Sequence, residues 1–286
     1  LRYPQARTDV RDWDADVVPI ISKAAALGFD VLEINTDALL DKPDQYLDKV
    51  RRASEENGVE LVFSAGLRKS TDIASKDPET RQNGIEFIEK NLKIIDRLGG
   101  ECFSGILYGA WGAPFGENLD KKAYFDRSTE AMKEVMGAAE KYEIYCNMEV
   151  VNRFEHFLLN TCEEAVDYVE AVDHPYCNIH LDTYHMNIEE DSFAEALKRA
   201  GDRLGFFHVG ENNRKPPGLG GHLPWKEIFG AINEIGYEGR IVIESFLKPG
   251  GDIAQDVALW RDLEKGIDKE DELRKSLKFV KKQLNN

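Results

Sequence analysis

Residues 177–209, CNIHLDTYHMNIEEDSFAEALKRAGDRLGFFHV, contain the pattern that decides the fold class of this chain. The apolar run Cys177–Asp182 predicts a buried strand, and the amphipathic run Ser192–Ala200, which is followed by a glycine, predicts a helix. A second apolar run covers Gly205–Val209. Strand, helix and strand in this order form the unit of a parallel sheet covered by helices, so the sequence predicts an α/β protein.

The same alternation extends along the chain in both directions and predicts a barrel. Seven strand-like runs recur at intervals of about thirty to forty residues, which is the spacing of the βα units in a (β/α)8 TIM barrel. An eighth strand would have to come from Leu1–Asp9, whose residues LRYPQARTD are not typical of a buried parallel strand. We therefore predict a single TIM-barrel domain over residues 1–286, with a first strand that the sequence supports poorly. The predicted strands are Val31–Asn35, Glu60–Gly66, Cys102–Leu107, Tyr145–Val151, Cys177–Asp182, Gly205–Val209 and Arg240–Phe246.

Amphipathic runs between the strands predict helices, and several of these runs end at a glycine. Glycine adopts the left-handed conformation at a helix C-terminus without steric cost. Beyond Gly250 the pattern predicts a helix near Ile253–Leu263 and an extra C-terminal helix over Lys269–Leu284, packed on the outside of the barrel. The other predicted helices are Ala15–Leu27, Pro43–Asn57, Asp77–Leu98, Lys121–Lys141, Cys162–Val172, Ser192–Ala200 and Pro224–Ile235.

Charge and composition exclude several classes of partner. The chain carries 37 Lys+Arg against 53 Asp+Glu, a formal net charge of −16, so nucleic acid and anionic membrane surfaces would be repelled. No segment approaches the roughly 18 to 20 consecutive apolar residues that a membrane span needs. The four cysteines, which form no CxxC pair, are expected to be free, mostly buried thiols of a soluble cytoplasmic protein.

Four acids and bases stand at the ends of successive predicted strands: Glu149, Asp182, His208 and Glu244. Because the carboxyl ends of barrel strands converge on one mouth, we expect these side chains to meet. Three carboxylates buried together require a compensating cation. A set of three carboxylates and one imidazole suits Mn²⁺, Mg²⁺ or Co²⁺ better than a thiolate-bound structural zinc. The alternative is that each residue pairs separately with a helix N-terminus or an arginine.

Further polar and aromatic residues lie near these strand ends, where barrel enzymes place substrate contacts. Glu155, His185 and Arg214 are candidates for hydrogen bonds to a polyhydroxylated ligand, and a solvated loop residue is the alternative for each. Trp111 either walls the ligand pocket or plugs the barrel. Glu33 faces either the barrel mouth or the helices. We include both among the candidate substrate contacts.

The glycine-rich segment Pro216–Gly221 follows the seventh predicted strand, a position where many barrels bind phosphate. It lacks the context of a dinucleotide-binding or P-loop motif. We favour a mobile lid as its interpretation.

Five segments of the sequence carry a family resemblance. They resemble the D-tagatose 3-epimerase and D-psicose (D-allulose) 3-epimerase family, within the xylose-isomerase-like barrel superfamily, from about Trp13 to the C-terminus. His222 and Ser245 depart from it, because the family commonly has arginine and proline there, and Leu1–Asp9 does not resemble its first strand. The segments are EVVNRFE (149–155), LDTYHMNIEED (181–191), FHVGENNRKPPG (207–218), IVIESF (241–246) and VALWRDL (257–263).

The resemblance implies a site and an activity. The four strand-end residues would bind one divalent metal ion per subunit, usually Mn²⁺ or Co²⁺, and Glu155, His185 and Arg214 would hold substrate hydroxyls. The activity would be a ketose 3-epimerase that interconverts D-tagatose with D-sorbose and D-fructose with D-psicose. Epimerisation at C3 needs an electrophile at O2 and a base on each face, so the metal would stabilise the cis-enediolate while Glu149 and Glu244 act as the bases. No organic cofactor is required.

Other functions stay open at this point. The barrel could belong to another enzyme of the superfamily, such as an aldose–ketose isomerase or an L-ribulose 3-epimerase, or it could be a catalytically silent sugar-binding protein. The resemblance also implies a homodimer or homotetramer.

Overall fold

The structure, a computed structural model, describes residues 2–3, 16–112, 119–249 and 255–285 of the chain. Eight parallel strands follow one another in sequence order around one sheet, β1 to β8, as the TIM-barrel prediction requires. The strands are β1 (Arg2–Tyr3), β2 (Val31–Asn35), β3 (Glu60–Leu67), β4 (Cys102–Ala110), β5 (Tyr145–Glu149), β6 (Cys177–Asp182), β7 (Leu204–Val209) and β8 (Arg240–Ile243).

The first strand is present but very short. Arg2 and Tyr3 pair in parallel with Glu33 and Ile34 of β2. The rest of the predicted first-strand segment, Leu1 and residues 4–9, lies outside the described residues. The N-terminal segment thus supplies the eighth strand of the sheet despite its polar composition.

Helices cover the outside of the sheet. Gly28 and Gly58 end the first two in the left-handed region, at φ of 90° and 62°, which confirms the capping role predicted for glycine. The extra C-terminal helix is confirmed over Lys269–Leu284 and contacts α1 and α8. The helices are α1 (Val18–Leu27), α2 (Asp44–Asn57), α3 (Pro78–Arg97), α4 (Lys121–Tyr142), α5 (Cys162–Val172), α6 (Thr183–Glu189), α7 (Phe193–Ala200), α8 (Trp225–Glu234) and α9 (Lys269–Leu284).

One helix prediction is wrong, and one short helix was not predicted. Residues 257–263 form turns and bends, so a helix reaching Leu263 is wrong. Ala258 has a φ of 52°, which a right-handed helix does not allow. The short helix α6 was not predicted, because it follows β6 without a loop; the side chain of Asp182 caps it by accepting the Tyr184 backbone N–H at 2.8 Å.

The core lies between the sheet and the helices. Large side chains such as Phe63, Phe103 and Phe207 are completely buried on the strands, and burial of each stabilises the fold by about 1.5–3 kcal/mol. All four cysteines are buried free thiols, as predicted. No helix in the described ranges is long and apolar enough to cross a membrane. Several buried polar residues, among them Glu33, Asp182 and His208, lie on the strands that lead to the site described below.

Candidate metal centre and ligand cavity

The four strand-end residues lie together at the carboxyl-terminal mouth of the barrel. Glu149 is the last residue of β5, Asp182 is the last residue of β6, and Glu244 directly follows β8. His208 of β7 lies opposite Asp182 in the strand register. One ligand atom from each residue lies within 4.8 Å of those of the other three. Successive parallel strands therefore bring four potential metal ligands to one point.

Glu33 of β2 sets the orientation of His208. Nε2 of His208 lies 2.6 Å from Oε2 of Glu33, and both side chains are buried. Nδ1 of His208 faces the cluster, 3.5 Å from Oε1 of Glu244 and 3.8 Å from Oε1 of Glu149. Among the described residues this buried Nδ1 has no hydrogen-bond partner. A histidine held by a carboxylate at one nitrogen, with the other nitrogen facing carboxylates, has the arrangement of a metal ligand.

The electrostatics of the cluster favour a cation. Burial alone would lower the pKa of His208, but the charges of Glu33, Glu244 and Glu149 outweigh it and raise the pKa to about 9. Burial and then the charge of Glu244 raise the pKa of Asp182. Both groups thus hold a proton more tightly than they would in water. A divalent cation would relieve the same crowding with two charges, so the residues present fit such an ion.

Arg214 supplies a fixed positive charge beside the cluster. Its Nη1 donates to Oε2 of Glu244 at 2.5 Å and to Oδ2 of Asp182 at 3.1 Å. The guanidinium carbon lies 3.6 Å from the centre of the Tyr184 ring and 5.1 Å from that of Phe246. The side chain is buried, and the neighbouring carboxylates raise its pKa although burial opposes this. Arg214 therefore stays charged within the cavity.

His185 of α6 is a neutral hydrogen-bond donor toward the cluster. The backbone N–H of Asn152 donates to its Nδ1 at 3.1 Å, so the ring proton lies on Nε2. Nε2 is 3.7 Å from Oδ2 of Asp182 and 4.0 Å from Oε1 of Glu149. The proton on Nε2 can therefore be donated to an oxygen of a bound ligand.

Two hydrogen bonds hold Glu155 near Arg214. It accepts hydrogen bonds from Nε1 of Trp111 at 3.2 Å and from Nδ2 of Asn152 at 3.3 Å, and its Oε1 is 3.6 Å from Nη2 of Arg214. Burial is the largest influence and raises the pKa of this carboxyl. Trp111 and Asn152 thus hold Glu155 with its carboxylate in the cavity wall.

Most of these groups line one open cavity, whose empty space of about 540 Å³ extends into the mouth that is open to solvent. Its polar wall includes Asn35 at the end of β2, Glu149 at the end of β5 and residues that follow β5, β6, β7 and β8, and Trp111 and Phe246 provide apolar surface. The charged and ionisable lining residues are Glu149, Glu155, His185, Arg214 and Glu244. The cavity can bind a small polar ligand beside a metal ion and present carboxylates to it.

Comparison with known proteins assigns the chain to a family. The family model described as xylose isomerase-like TIM barrel matches residues 21–283. The chain belongs to this family. Within the xylose isomerase-like barrels it groups with ketose 3-epimerases, in agreement with the resemblance seen in the sequence.

Two relatives and one solved structure indicate how far this similarity extends. The D-psicose 3-epimerase of Ruminiclostridium cellulolyticum is 40% identical over 258 residues, which are 90% of this chain and 88% of that protein. The L-ribulose 3-epimerase of Methylomonas sp. is 34% identical over 274 residues, covering 94% and 93% of the two chains. A crystal structure of D-psicose 3-epimerase with D-tagatose from Clostridium cellulolyticum H10 superposes with a TM-score of 0.95 at 37% identity, over 99% of this chain and 98% of that chain.

The barrel places most of the predicted site residues in the cavity. Trp111 forms part of the wall rather than a plug, and Glu155, His185 and Arg214 all face the cavity. The prediction that Glu33 contacts the substrate needs correction. Its carboxylate is completely buried and contacts the far nitrogen of His208, so it lies behind a potential metal ligand instead of touching the ligand cavity.

Two residues that position site side chains were not predicted from the sequence. Asn152 orients both His185 and Glu155, and Phe246 packs beside Arg214. Both lie inside motifs that carry the family resemblance, EVVNRFE and IVIESF. The signal was therefore their position within these motifs, because neither residue type suggests chemistry by itself.

Proposed function

We propose that this chain is a ketose 3-epimerase that interconverts the C3 epimers of free ketohexoses. D-Psicose with D-fructose and D-tagatose with D-sorbose are the substrate pairs to test first. The observation that carries the proposal is that Glu149 and Glu244 flank Nδ1 of His208, at 3.8 and 3.5 Å, and that both glutamates line the same cavity. The similarity to D-psicose 3-epimerases over most of the chain supports it.

Glu149, Asp182, His208 and Glu244 would hold one divalent cation per subunit, with Mn²⁺ as our first choice and Co²⁺ or Mg²⁺ as alternatives. When bound, such an ion supplies an electrophile that polarises the carbonyl of a 2-ketose. No organic cofactor enters the proposal.

The two glutamates would move the proton at C3. Glu149 ends β5 and Glu244 follows β8, so two intervening strands separate them and their carboxylates approach the cavity from different sides. One carboxylate removes the C3 proton, and the other returns a proton to the opposite face. The roles are exchanged for the reverse reaction, so each residue serves as acid in one direction and as base in the other.

The remaining polar residues would bind and orient the sugar. The Nε2–H of His185 and the guanidinium of Arg214 are the donors available to the negative charge that develops at O2. Glu155, held by Trp111 and Asn152, would accept hydrogen bonds from substrate hydroxyls. These contacts fix the C2–C3 segment between the two bases.

The test is an assay of metal-depleted protein with D-psicose, D-fructose and D-tagatose in D₂O, with and without added Mn²⁺. We expect metal-dependent C3 epimers that carry deuterium at C3 by NMR. Glu149→Gln and Glu244→Gln should each abolish turnover. Glu190→Gln is a matched control, because it neutralises a partly buried glutamate that accepts the Cys162 N–H at 2.6 Å, outside the cavity. Retained turnover in both catalytic variants would refute the proposed roles.

The same assay, with L-ribulose added to the set of substrates, separates the alternatives. Faster turnover of L-ribulose than of any ketohexose would favour the L-ribulose 3-epimerase suggested by the Methylomonas relative. Aldose products without solvent deuterium would indicate a hydride-shift isomerase, and no product from any sugar would favour a silent sugar-binding barrel. A homodimer or homotetramer and a cytoplasmic location stay predictions.

A further inference from the structure

The loop after β7 holds Arg214 in an unusual backbone conformation. Arg214 has a φ of 65°, in the left-handed region that residues with a Cβ seldom adopt. Such a conformation costs free energy and persists only where the surroundings enforce it. Yet this residue places its guanidinium against two of the potential metal ligands. Some group outside the cavity must therefore hold the loop in place.

Glu211, three residues earlier, has the contacts for this task. Its side chain is 1% exposed, and its Oε1 accepts hydrogen bonds from the Gly218 backbone N–H at 2.7 Å and from Nε1 of Trp225 at 2.9 Å. Trp225 is the first residue of α8, which is packed in the core, whereas Gly218 belongs to the loop. One carboxylate oxygen thus ties the loop to a rigid helix.

The backbone of Glu211 closes the turn that carries Arg214. The N–H of Arg214 donates to the carbonyl oxygen of Glu211 at 2.9 Å, and the N–H of Glu211 donates to the carbonyl oxygen of Lys215 at 2.8 Å. On the other side, the N–H of Phe246 donates to the carbonyl oxygen of Arg214 at 3.0 Å. The position of Arg214 is therefore defined relative to Glu211 on one side and to Phe246, which follows β8, on the other.

The glycine-rich segment is folded directly over the Glu211 carboxylate. A Cβ placed on Gly221 would lie 1.7 Å from Oε2 of Glu211, so a larger residue there would displace the carboxylate. In the described part of the chain, Oε2 is buried without a hydrogen-bond partner. This segment therefore packs as a cover on the carboxylate and leaves it no access to solvent.

We propose that Glu211 is a positioning residue for Arg214. Its carboxylate anchors the loop to α8, and the loop in turn holds the guanidinium in the cavity. Glu211 touches no substrate and acts only through Arg214. The inference rests on the proposed epimerase function, because the effect on Arg214 is read through turnover.

A double-mutant cycle tests the inference. Arg214→Ala removes a charge-stabilising donor and should lower kcat/KM by about 10²–10³-fold. Glu211→Ala leaves two buried donors unsatisfied and should lower kcat/KM at least about tenfold, whereas Glu211→Gln, which keeps an acceptor oxygen, should recover most of it. The double variant should equal Arg214→Ala alone within about twofold, because Glu211 has no other route to the reaction.

Limited trypsin digestion followed by mass spectrometry gives a second readout that is independent of turnover. The Arg214–Lys215 bond should be protected in the wild-type protein and cut in Glu211→Ala, while Glu211→Gln stays protected. Ser276→Ala is the control, because Ser276 holds the same loop at the Pro217 carbonyl but does not contact Glu211 or Arg214 in the described structure. It should leave kcat/KM and the digestion pattern unchanged.

The outcomes distinguish the two hypotheses. Additive losses in the double variant, or an unchanged Arg214–Lys215 bond in a folded Glu211→Ala protein, would overturn the positioning role. Circular dichroism shows whether Glu211→Ala folds, and if it does not, Glu211→Gln takes its place in the cycle. A loss in Glu211→Gln as large as that in Arg214→Ala, still present in the Arg214→Ala background, would then overturn the positioning role as well. A wild-type protein that turns over no ketose would overturn the proposed function itself.

Discussion

Metal binding at this site should depend steeply on pH, because the ion must replace a proton on His208. The pKa of His208 in the metal-free protein is raised to about 9 by Glu33, Glu244 and Glu149 against the effect of burial. At pH 7 the imidazole therefore carries a proton on Nδ1, the nitrogen that faces the carboxylates. A difference of two pH units from the pKa costs about 2.7 kcal/mol, or roughly 100-fold in affinity, relative to the deprotonated site.

The sign follows from the direction of the shift. A raised pKa means that the proton is held throughout the neutral range and is lost only as the pH rises toward 9, so Mn²⁺ affinity should increase about tenfold per pH unit from pH 7 to 8. The raised pKa of Asp182 makes the dependence steeper at lower pH.

Isothermal titration calorimetry between pH 6.5 and 8.0, in buffers of different ionisation enthalpy, measures both the Mn²⁺ affinity and the number of protons released on binding. We expect a falling Kd and the release of about one proton per Mn²⁺ near pH 7.5. A Kd constant within twofold over this range, with no proton released, would refute the reasoning about His208.

Three further predictions concern single residues. Glu33→Gln removes the carboxylate that most strongly raises the pKa of His208, so the pH dependence of Mn²⁺ affinity should become shallower. Calorimetry at pH 7.0 and 8.0 measures this dependence, and an equal change of affinity in the variant and the wild-type protein would contradict the prediction. Gly105→Ala would bring a Cβ within 2.1 Å of the Ala65 carbonyl oxygen, at a φ of 120°. It should therefore lower the free energy of unfolding in urea by at least about 2 kcal/mol. Gly137→Ala is the control, because the added methyl group meets no atom within 4 Å. Trp111→Phe keeps the aromatic wall but loses the N–H that holds Glu155, so kcat/KM should fall by about three- to tenfold, and an unchanged value would show that this hydrogen bond does not position the carboxylate.

Local patterns were sufficient to predict much of the fold. The strands Val31–Asn35 and Cys177–Asp182 and the helix Lys269–Leu284 have the predicted bounds, because their hydrophobic pattern is recorded in neighbouring residues. Elements without such a pattern were missed or misplaced. Helix α6 has no loop before it, and turns and bends replace the predicted helix over residues 257–263, where Ala258 is left-handed.

For the candidate site, too, the sequence predicted one part and the tertiary structure decided the other. The sequence by itself determined the barrel, the four strand-end ligand candidates and the family, because strand order brings every carboxyl end to one mouth and the motifs are long. Only the tertiary structure decided that Glu33 supports His208 across a separation of 175 residues, or that Glu211 ties the Arg214 loop to α8. These contacts arise when closure of the barrel brings distant strands and loops together, and no local pattern records which side chains will then meet.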